Sequence, residues 1–318
     1  MNATRSWKTV AIMEGIARTD LNAEEQMDKP RGINRVILVV LDGLRADAIS
    51  TLRLPTLSAL AARGSHSYHA QTVEPSITAA ALTSLFTGVP PVIHRIRSDR
   101  FGLPRATEVL TSLPRVLRAN GIPTAAFLAS LPAPFRGLAE RIVEHAGASA
   151  KFIGKTSEQI LDSARHSLTN TTNGLIFLHW SDADIAGHEH GWMSAAYARA
   201  ARQLDESMER LVRMTGVVAD PETVLIVVAD HGGGGDNVCN HNSAHPFDRT
   251  IPLIIVGGRV ARIELQPGLS LLDIPSTVAW LLGVAPPERY FGRILHEVLE
   301  PGPVALPPRP SYAPFEAA

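Results

Sequence analysis

Residues 35–41 read Arg-Val-Ile-Leu-Val-Val-Leu (RVILVVL), and Asp42-Gly43 follows without a spacer. Residues 36–41 are apolar without interruption, and four of them are β-branched. A strand with one wet face alternates polar and apolar side chains, so an unbroken run predicts a strand covered on both faces. Similar runs recur at 123–129 (PTAAFLA), 174–179 (GLIFLH), 223–229 (TVLIVVA) and 251–256 (IPLIIV). Helical patterns lie between them. Residues 55–63 are closed by Gly64 and residues 108–120 by Gly121; over 194–214, Tyr197, Ala201, Leu204, Met208 and Leu211 recur at spacings of four and three. Strands alternating with helices predict an α/β fold, a mainly parallel central sheet with helices on both faces.

The 318 residues include 30 basic and 31 acidic side chains, a net charge of -1, and 45% are hydrophobic. This length and composition suit a globular core without staples, and the charge balance argues against a nucleic-acid or membrane-surface partner found by bulk charge. No apolar stretch reaches the roughly 18–20 residues of a transmembrane helix, and the first 32 residues lack a signal-peptide core. The lone Cys239 makes no demand for an oxidising compartment, so a cytoplasmic protein is expected. We expect an arm over 1–32, a catalytic domain over 33–300 and a tail over 301–318, which holds six prolines. Within the domain, 90–173 has weaker strand signals and is expected to shape a substrate pocket.

Several motifs fail on counting. Gly154-Lys155-Thr156 ends like a phosphate-binding loop, but Ser149 occupies the place of its first glycine. The run Gly232 to Gly235 meets Asn237 or Val238 where a dinucleotide fingerprint needs its last glycine, and no G-x-S-x-G elbow exists. What remains is the placement of acids and histidines. Asp42 follows the run 35–41, Asp230-His231 follows 223–229, and Asp184 and His188 come shortly after 174–179. Loops beyond the carboxyl ends of parallel strands converge on one crevice, and carboxylate with imidazole suits zinc or a similar divalent ion. Singly, an Asp after a strand is also what a helix N-cap requires, and a lone Asp-His pair or a lone His188 is an ordinary surface feature. Three strand ends bearing the same ligand chemistry outweigh that reading.

Five stretches carry a resemblance: VVLDGLRADAI (39–49), PSITAAALTSLFTGVPP (75–91), DADIAGHEHGW (182–192), ADHGG (229–233) and HPFDRTIPLIIVGG (245–258). In this order they resemble the alkaline phosphatase superfamily, most of all its type I phosphodiesterase/nucleotide pyrophosphatase branch. The resemblance implies a site for two divalent ions, zinc with manganese as the alternative. Asp42, Thr78, Asp230 and His231 would surround one ion, and Asp184, His188 and His245 the other. His245 is taken over His241 because the family spacing H-x-x-D-x-x-x-P is met by His245, Asp248 and Pro252. Thr78 is the implied nucleophile, standing ten residues before Gly88 of the Thr87-Gly88 pair; Ser76 is the competitor, otherwise read as a helix cap.

Two departures bear on substrate. Ala81 stands where the nucleotide pyrophosphatases carry a phosphoryl-binding asparagine, and residues 76–80 lack the proline and arginine of a formylglycine sulfatase motif. The resemblance thus implies a metal-dependent hydrolase of phosphoric esters, mono- or diester, acting on a small phosphorylated substrate through a phosphothreonine. Phosphonate or sulfate ester hydrolysis, a phosphomutase and a non-catalytic metal-bound binding protein are the alternatives.

Overall fold

In the computed structural model, which describes residues 32–98, 110–130, 137, 140–141 and 143–299, all seven residues of strand β1 (Arg35–Leu41) are buried. The cause is its central position. β1 pairs in parallel with β5 (Gly174–Trp180) on one side and β6 (Thr223–Val228) on the other, with Val36 opposite Leu175 and Val224, and Leu41 opposite Trp180. Hydrogen bonds run to both neighbours and both faces are covered, so nothing in the strand is left for water.

The sheet has seven strands in the order β2-β7-β6-β1-β5-β3-β4, completed by β2 (Ser65–Gln71), β3 (Thr124–Leu128), β4 (Ser149–Phe152) and β7 (Thr250–Val256). β7 runs antiparallel to both β6 and β2, and the other pairings are parallel. The mainly parallel sheet read from the apolar runs is therefore present. Its two strands without a sequence signal, β2 (SHSYHAQ) and β4 (SAKF), are the edges, where one side is unpaired and polar residues are tolerated.

Helices α1 (Pro55–Ala61), α2 (Thr78–Thr87), α3 (Leu113–Ala119), α4 (Ser157–Asn170), α5 (Asp182–His190), α6 (Ala195–Thr215) and α7 (Asp273–Leu281) fall into two packing groups. α6 packs on α1, α4 and α5, while α7 packs on α2 and α3. α6 shows why its sequence is helical. Ser194 caps it by accepting from Tyr197 N, the 3.6-residue period buries Leu204, Met208 and Leu211 completely, and Gly216 ends it with φ 62°. Each of those apolar side chains contributes about 1.5–3 kcal/mol by leaving water.

The helix expected over 108–120 is shorter where it is described, because Pro114 opens α3 in its first turn. Residues 1–31 of the expected arm, all of the tail at 301–318, and residues 99–109, 131–136, 138–139 and 142 of the expected substrate-shaping segment lie outside the described residues. No helix among the described residues is long and apolar enough to cross a membrane.

Candidate metal centre

The topology delivers the acids and histidines to one edge of the sheet. β1 ends into Asp42-Gly43, β6 into Asp230-His231, and β5 into α5, where Asp184 and His188 are one turn apart. β2 ends at Gln71, and residues 72–77 lead to Thr78, the first residue of α2. Because β7 runs antiparallel to β6, the whole connection over residues 229–249 stays at this edge and brings His241 with it. Backbone hydrogen bonds fix the alignment: Asp42 N donates to Trp180 O at 2.9 Å and Asp184 N to Asp42 O at 3.1 Å.

The first group of ligand atoms belongs to Asp42, Asp230 and His231, all buried. His231 Nε2 lies 3.2 Å from Asp42 Oδ1 and 3.6 Å from Asp230 Oδ2. Thr78 Oγ1 joins it, 3.1 Å from His231 Nε2 and 3.4 Å from Asp42 Oδ1. The second group is Asp184, His231 and His241. Asp184 Oδ1 lies 3.7 Å from His241 Nε2 and 3.5 Å from His188 Nε2, and these two ring nitrogens are 3.1 Å apart. The rings of His231 and His241 stack at 3.7 Å between centroids, so the two groups share a wall.

Glycines and aromatic rings hold the loops together. Gly43 takes φ 70°, and a Cβ there would come within 2.8 Å of Asp184 Cα, so only glycine lets the two acid-bearing segments touch. Its carbonyl accepts from Trp192 Nε1 at 2.9 Å and from Tyr197 OH at 3.0 Å; the same Tyr197 oxygen accepts from Arg45 N at 3.0 Å. In the connection after β6, the N–H groups of Gly232, Gly233, Gly234 and Gly235 bond to Asp248 O, Phe247 O, Asn240 O and Asp248 Oδ1 in turn. The buried Asp248 carboxylate also accepts from Ser243 N and Oγ, closing the loop on which His241 sits.

The charges are those of a site built around cations. Burial, and then the charge of Asp42, push the Asp184 carboxyl up to about 8 and that of Asp230 up to about 7. Asp42 is fully buried too, yet His179 and His231 beside it hold it well below the usual carboxylate range. Burial lowers His231, but Asp230 and Asp42 outweigh it and raise the imidazole to about 10; His241, buried beside His231, is lowered to about 4. The buried Asp184 Oδ1 and Asp230 Oδ2 have no hydrogen-bond partner.

The ring nitrogens supply the most specific test of fit. Nδ1 of His188 bonds to Cys239 O at 2.9 Å, and Nδ1 of His241 to Ser76 O at 2.6 Å. A carbonyl can only accept, so each Nδ1 carries the proton and a neutral ring turns a bare Nε2 lone pair toward the other at 3.1 Å. Two lone pairs at that distance repel unless a proton or a metal ion lies between them. Orphaned carboxylate oxygens, opposed lone pairs and a nitrogen-oxygen donor set all fit divalent metal.

Six of the seven residues named from the sequence come together: Asp42, Thr78, Asp184, His188, Asp230 and His231. His245 does not, and His241 takes its place. His245 precedes Pro246 and caps the turn Pro246–Arg249, its Nδ1 accepting from Phe247 N at 3.0 Å while its ring leans on Phe247. Ser76 is not a cap either: Ile77 is the N-cap residue of α2, and the buried Ser76 hydroxyl donates to His241 O. Ala81 is fully buried, so it presents nothing to a phosphoryl group. His179, which the strand signal passed over as core, brings its Nε2 to 3.3 Å from Asp42 Oδ2.

Comparison with known proteins gives the family and the fold. Residues 36–115 match the family model for type I phosphodiesterase / nucleotide pyrophosphatase, and residues 119–286 that of the metalloenzyme superfamily. A 2,3-bisphosphoglycerate-independent phosphoglycerate mutase of Desulforudis audaxviator is 35% identical over 125 residues, 38% of this chain and 23% of that protein. The catalytic subunit of human GPI ethanolamine phosphate transferase 2 is 23% identical over 303 residues, 86% of this chain and 29% of that protein. The chain thus spans under a third of the length of these relatives. Among solved structures, the phosphonate monoester hydrolase of Agrobacterium radiobacter superposes with a TM-score of 0.62 at 16% identity, covering 85% of this chain and 78% of the other. Murine ectonucleotide pyrophosphatase / phosphodiesterase 5, in complex with AMP, gives 0.60 at 13% identity, covering 79% and 96%. At these identities the structural likeness establishes the fold.

Proposed function

The chain belongs to the metalloenzyme superfamily, with an alkaline-phosphatase-like core, and from that premise we propose that it hydrolyses phosphoric esters through a phosphothreonine at Thr78. The observation that carries the reading is the Thr78 hydroxyl, which lies among ligand atoms at the first residue of a ten-residue helix. Asp42, Thr78, Asp230 and His231 would hold one divalent ion, and Asp184, His188 and His241 the other. Bound ions supply positive charge opposite the phosphoryl oxygens and make a touching hydroxyl more acidic.

The chain's own contribution is orientation. Asp42 Oδ1 at 3.4 Å accepts the hydroxyl hydrogen of Thr78, and His231 Nε2, 3.1 Å from the same oxygen, fixes its position from the other side. The positive end of the α2 dipole lies at the same residue and favours the phosphoryl anion. Attack by Thr78 Oγ1 on phosphorus breaks the bond to the ester oxygen, which leaves as the alcohol with the proton that the threonine gives up. Water then releases phosphate, or from a diester the remaining monoester, and restores the hydroxyl. This divides one hard displacement into two easier ones.

Thr78→Ala is expected to lower turnover of aryl phosphate esters at least about a thousandfold while metal content stays near native. Phosphate trapped by acid quench should map to Thr78. Label on Ser76 instead, or native turnover in Thr78→Ala, sinks the proposal. Several matched relatives are named transferases, which supports a second reading in which the phosphoryl group passes from Thr78 to an alcohol. Partition of product between phosphate and phosphorylated acceptor, measured with added alcohols, separates the two.

A further inference from the structure

Resting on the reading that Asp42 is a metal ligand beside Thr78, we propose that His179 is a positioning residue of this centre: it holds Asp42 Oδ2 so that Oδ1 alone faces the ion and the nucleophile. The residue is out of place by the logic of its strand. β5 is buried along all seven residues, and the other six are glycine, aliphatic or aromatic. An imidazole there gives up its hydration, which costs free energy unless a partner compensates. His179 is 7% exposed, and the polar partner of its Nε2 is Asp42 Oδ2 at 3.3 Å, an ion-pair distance.

The two oxygens of Asp42 have separate surroundings. Oδ1 meets His231 Nε2 at 3.2 Å and Thr78 Oγ1 at 3.4 Å, whereas Oδ2 meets His179. His179 belongs to neither group of mutually close ligand atoms, so it stands behind a ligand. A carboxylate can bind a divalent ion through one oxygen or both. If Oδ2 swung toward the ion, Asp42 would rotate and Oδ1 would leave Thr78. An N–H placed at Oδ2 opposes that rotation, and the backbone allows little else: Asp42 N is tied to Trp180 O, one residue after His179, and Asp42 O to Asp184 N. The pairing of Val40 with His179 across β1 and β5 sets the depth at which the imidazole meets the carboxylate.

The test compares His179→Leu, which removes the donor, with His179→Gln, whose amide N–H reaches about as far as Nε2, and His179→Asn, which is polar but shorter. Zn²⁺ is titrated calorimetrically into metal-free protein, bound metal is counted, and kcat and KM are measured on an aryl phosphate. His179→Leu should bind one of two ions about 10–100-fold more weakly and lose kcat with KM nearly unchanged, and His179→Gln should recover most of both. If His179→Leu does not fold, the comparison of His179→Gln with His179→Asn carries the same information. Native Zn²⁺ affinity and kcat in His179→Leu, or equal losses in the Gln and Asn variants, overturn the positioning role and leave the metal centre standing. Native protein that takes up no Zn²⁺ overturns both.

Discussion

Tyr197→Phe removes one oxygen from a place that water does not reach, and its effect on stability can be worked from the contacts. The Tyr197 side chain is fully buried, donating to Gly43 O and accepting from Arg45 N, both at 3.0 Å. Gly43 O keeps its bond from Trp192 Nε1, so losing the tyrosine donor costs about 0.5–1.5 kcal/mol. Arg45 N keeps no acceptor, and a buried unsatisfied N–H costs about 1–3 kcal/mol. The phenyl ring still fills the space, so no cavity adds to this. The expected loss is about 3 kcal/mol, read by urea unfolding with an unchanged denaturant slope, and a fall in Tm of roughly 6–12 °C. A change within about 0.5 kcal/mol would refute the claim that this hydroxyl joins the Gly43 loop to α6.

The remaining predictions concern the centre itself. His241→Ala should lose about one equivalent of bound zinc, while His245→Ala should keep both and suffer only the loss of a turn cap; metal analysis of the two purified variants decides between them. Chelation should abolish ester hydrolysis, with Zn²⁺ or Mn²⁺ restoring it better than Mg²⁺, because imidazole nitrogen suits Mg²⁺ poorly; full activity in metal-free protein contradicts this. Metal uptake should release protons. In the metal-free protein His231, raised to about 10, and Asp184, raised to about 8, hold protons at neutral pH that a cation must displace. Affinity should therefore rise with pH, by about tenfold or more per unit between pH 6 and 7.5, as each displaced proton becomes easier to lose. Calorimetry in buffers of different ionisation enthalpy counts these protons, and a count of zero is incompatible with the charges described.

The parts of the fold that the sequence made legible are those where burial is complete. RVILVVL, GLIFLH and TVLIVVA read as strands because no face of them meets water, and the acids that follow mark where those strands end. β2 was hidden for the opposite reason: an edge strand needs few apolar residues, and SHSYHAQ reads as a loop. His241 and His245 lie in one connection, and the family spacing favoured the one that the fold leaves outside the cluster of ligand atoms. A histidine directly before proline and two residues before an N–H it can cap was the available clue, since that geometry occupies its ring nitrogen. His179 left no clue of its own, because a single imidazole in an apolar strand looks like core until Asp42 is seen opposite. The antiparallel turn of β7, which keeps His241 at the site edge, has no local signal at all.

Four consecutive glycines are what one would choose to make a chain slack, yet Gly232 to Gly235 have every N–H engaged. Holding such a stretch still surrenders more disorder than holding any other sequence, roughly 0.5–1 kcal/mol per glycine relative to alanine. The centre therefore carries a standing charge of about 2–4 kcal/mol against the folded state, incurred in the unfolded chain and invisible in any contact. The usual remedy, glycine to alanine, is closed here, because a Cβ at Gly232 would lie 2.0 Å from Phe247 O and one at Gly233 would lie 2.1 Å from the Trp192 ring. Gly232→Ala and Gly233→Ala should thus destabilise where the same exchange in an open loop stabilises. Any search for a hardier form of this protein has to find its gains outside the loop that carries Asp230, His231 and His241.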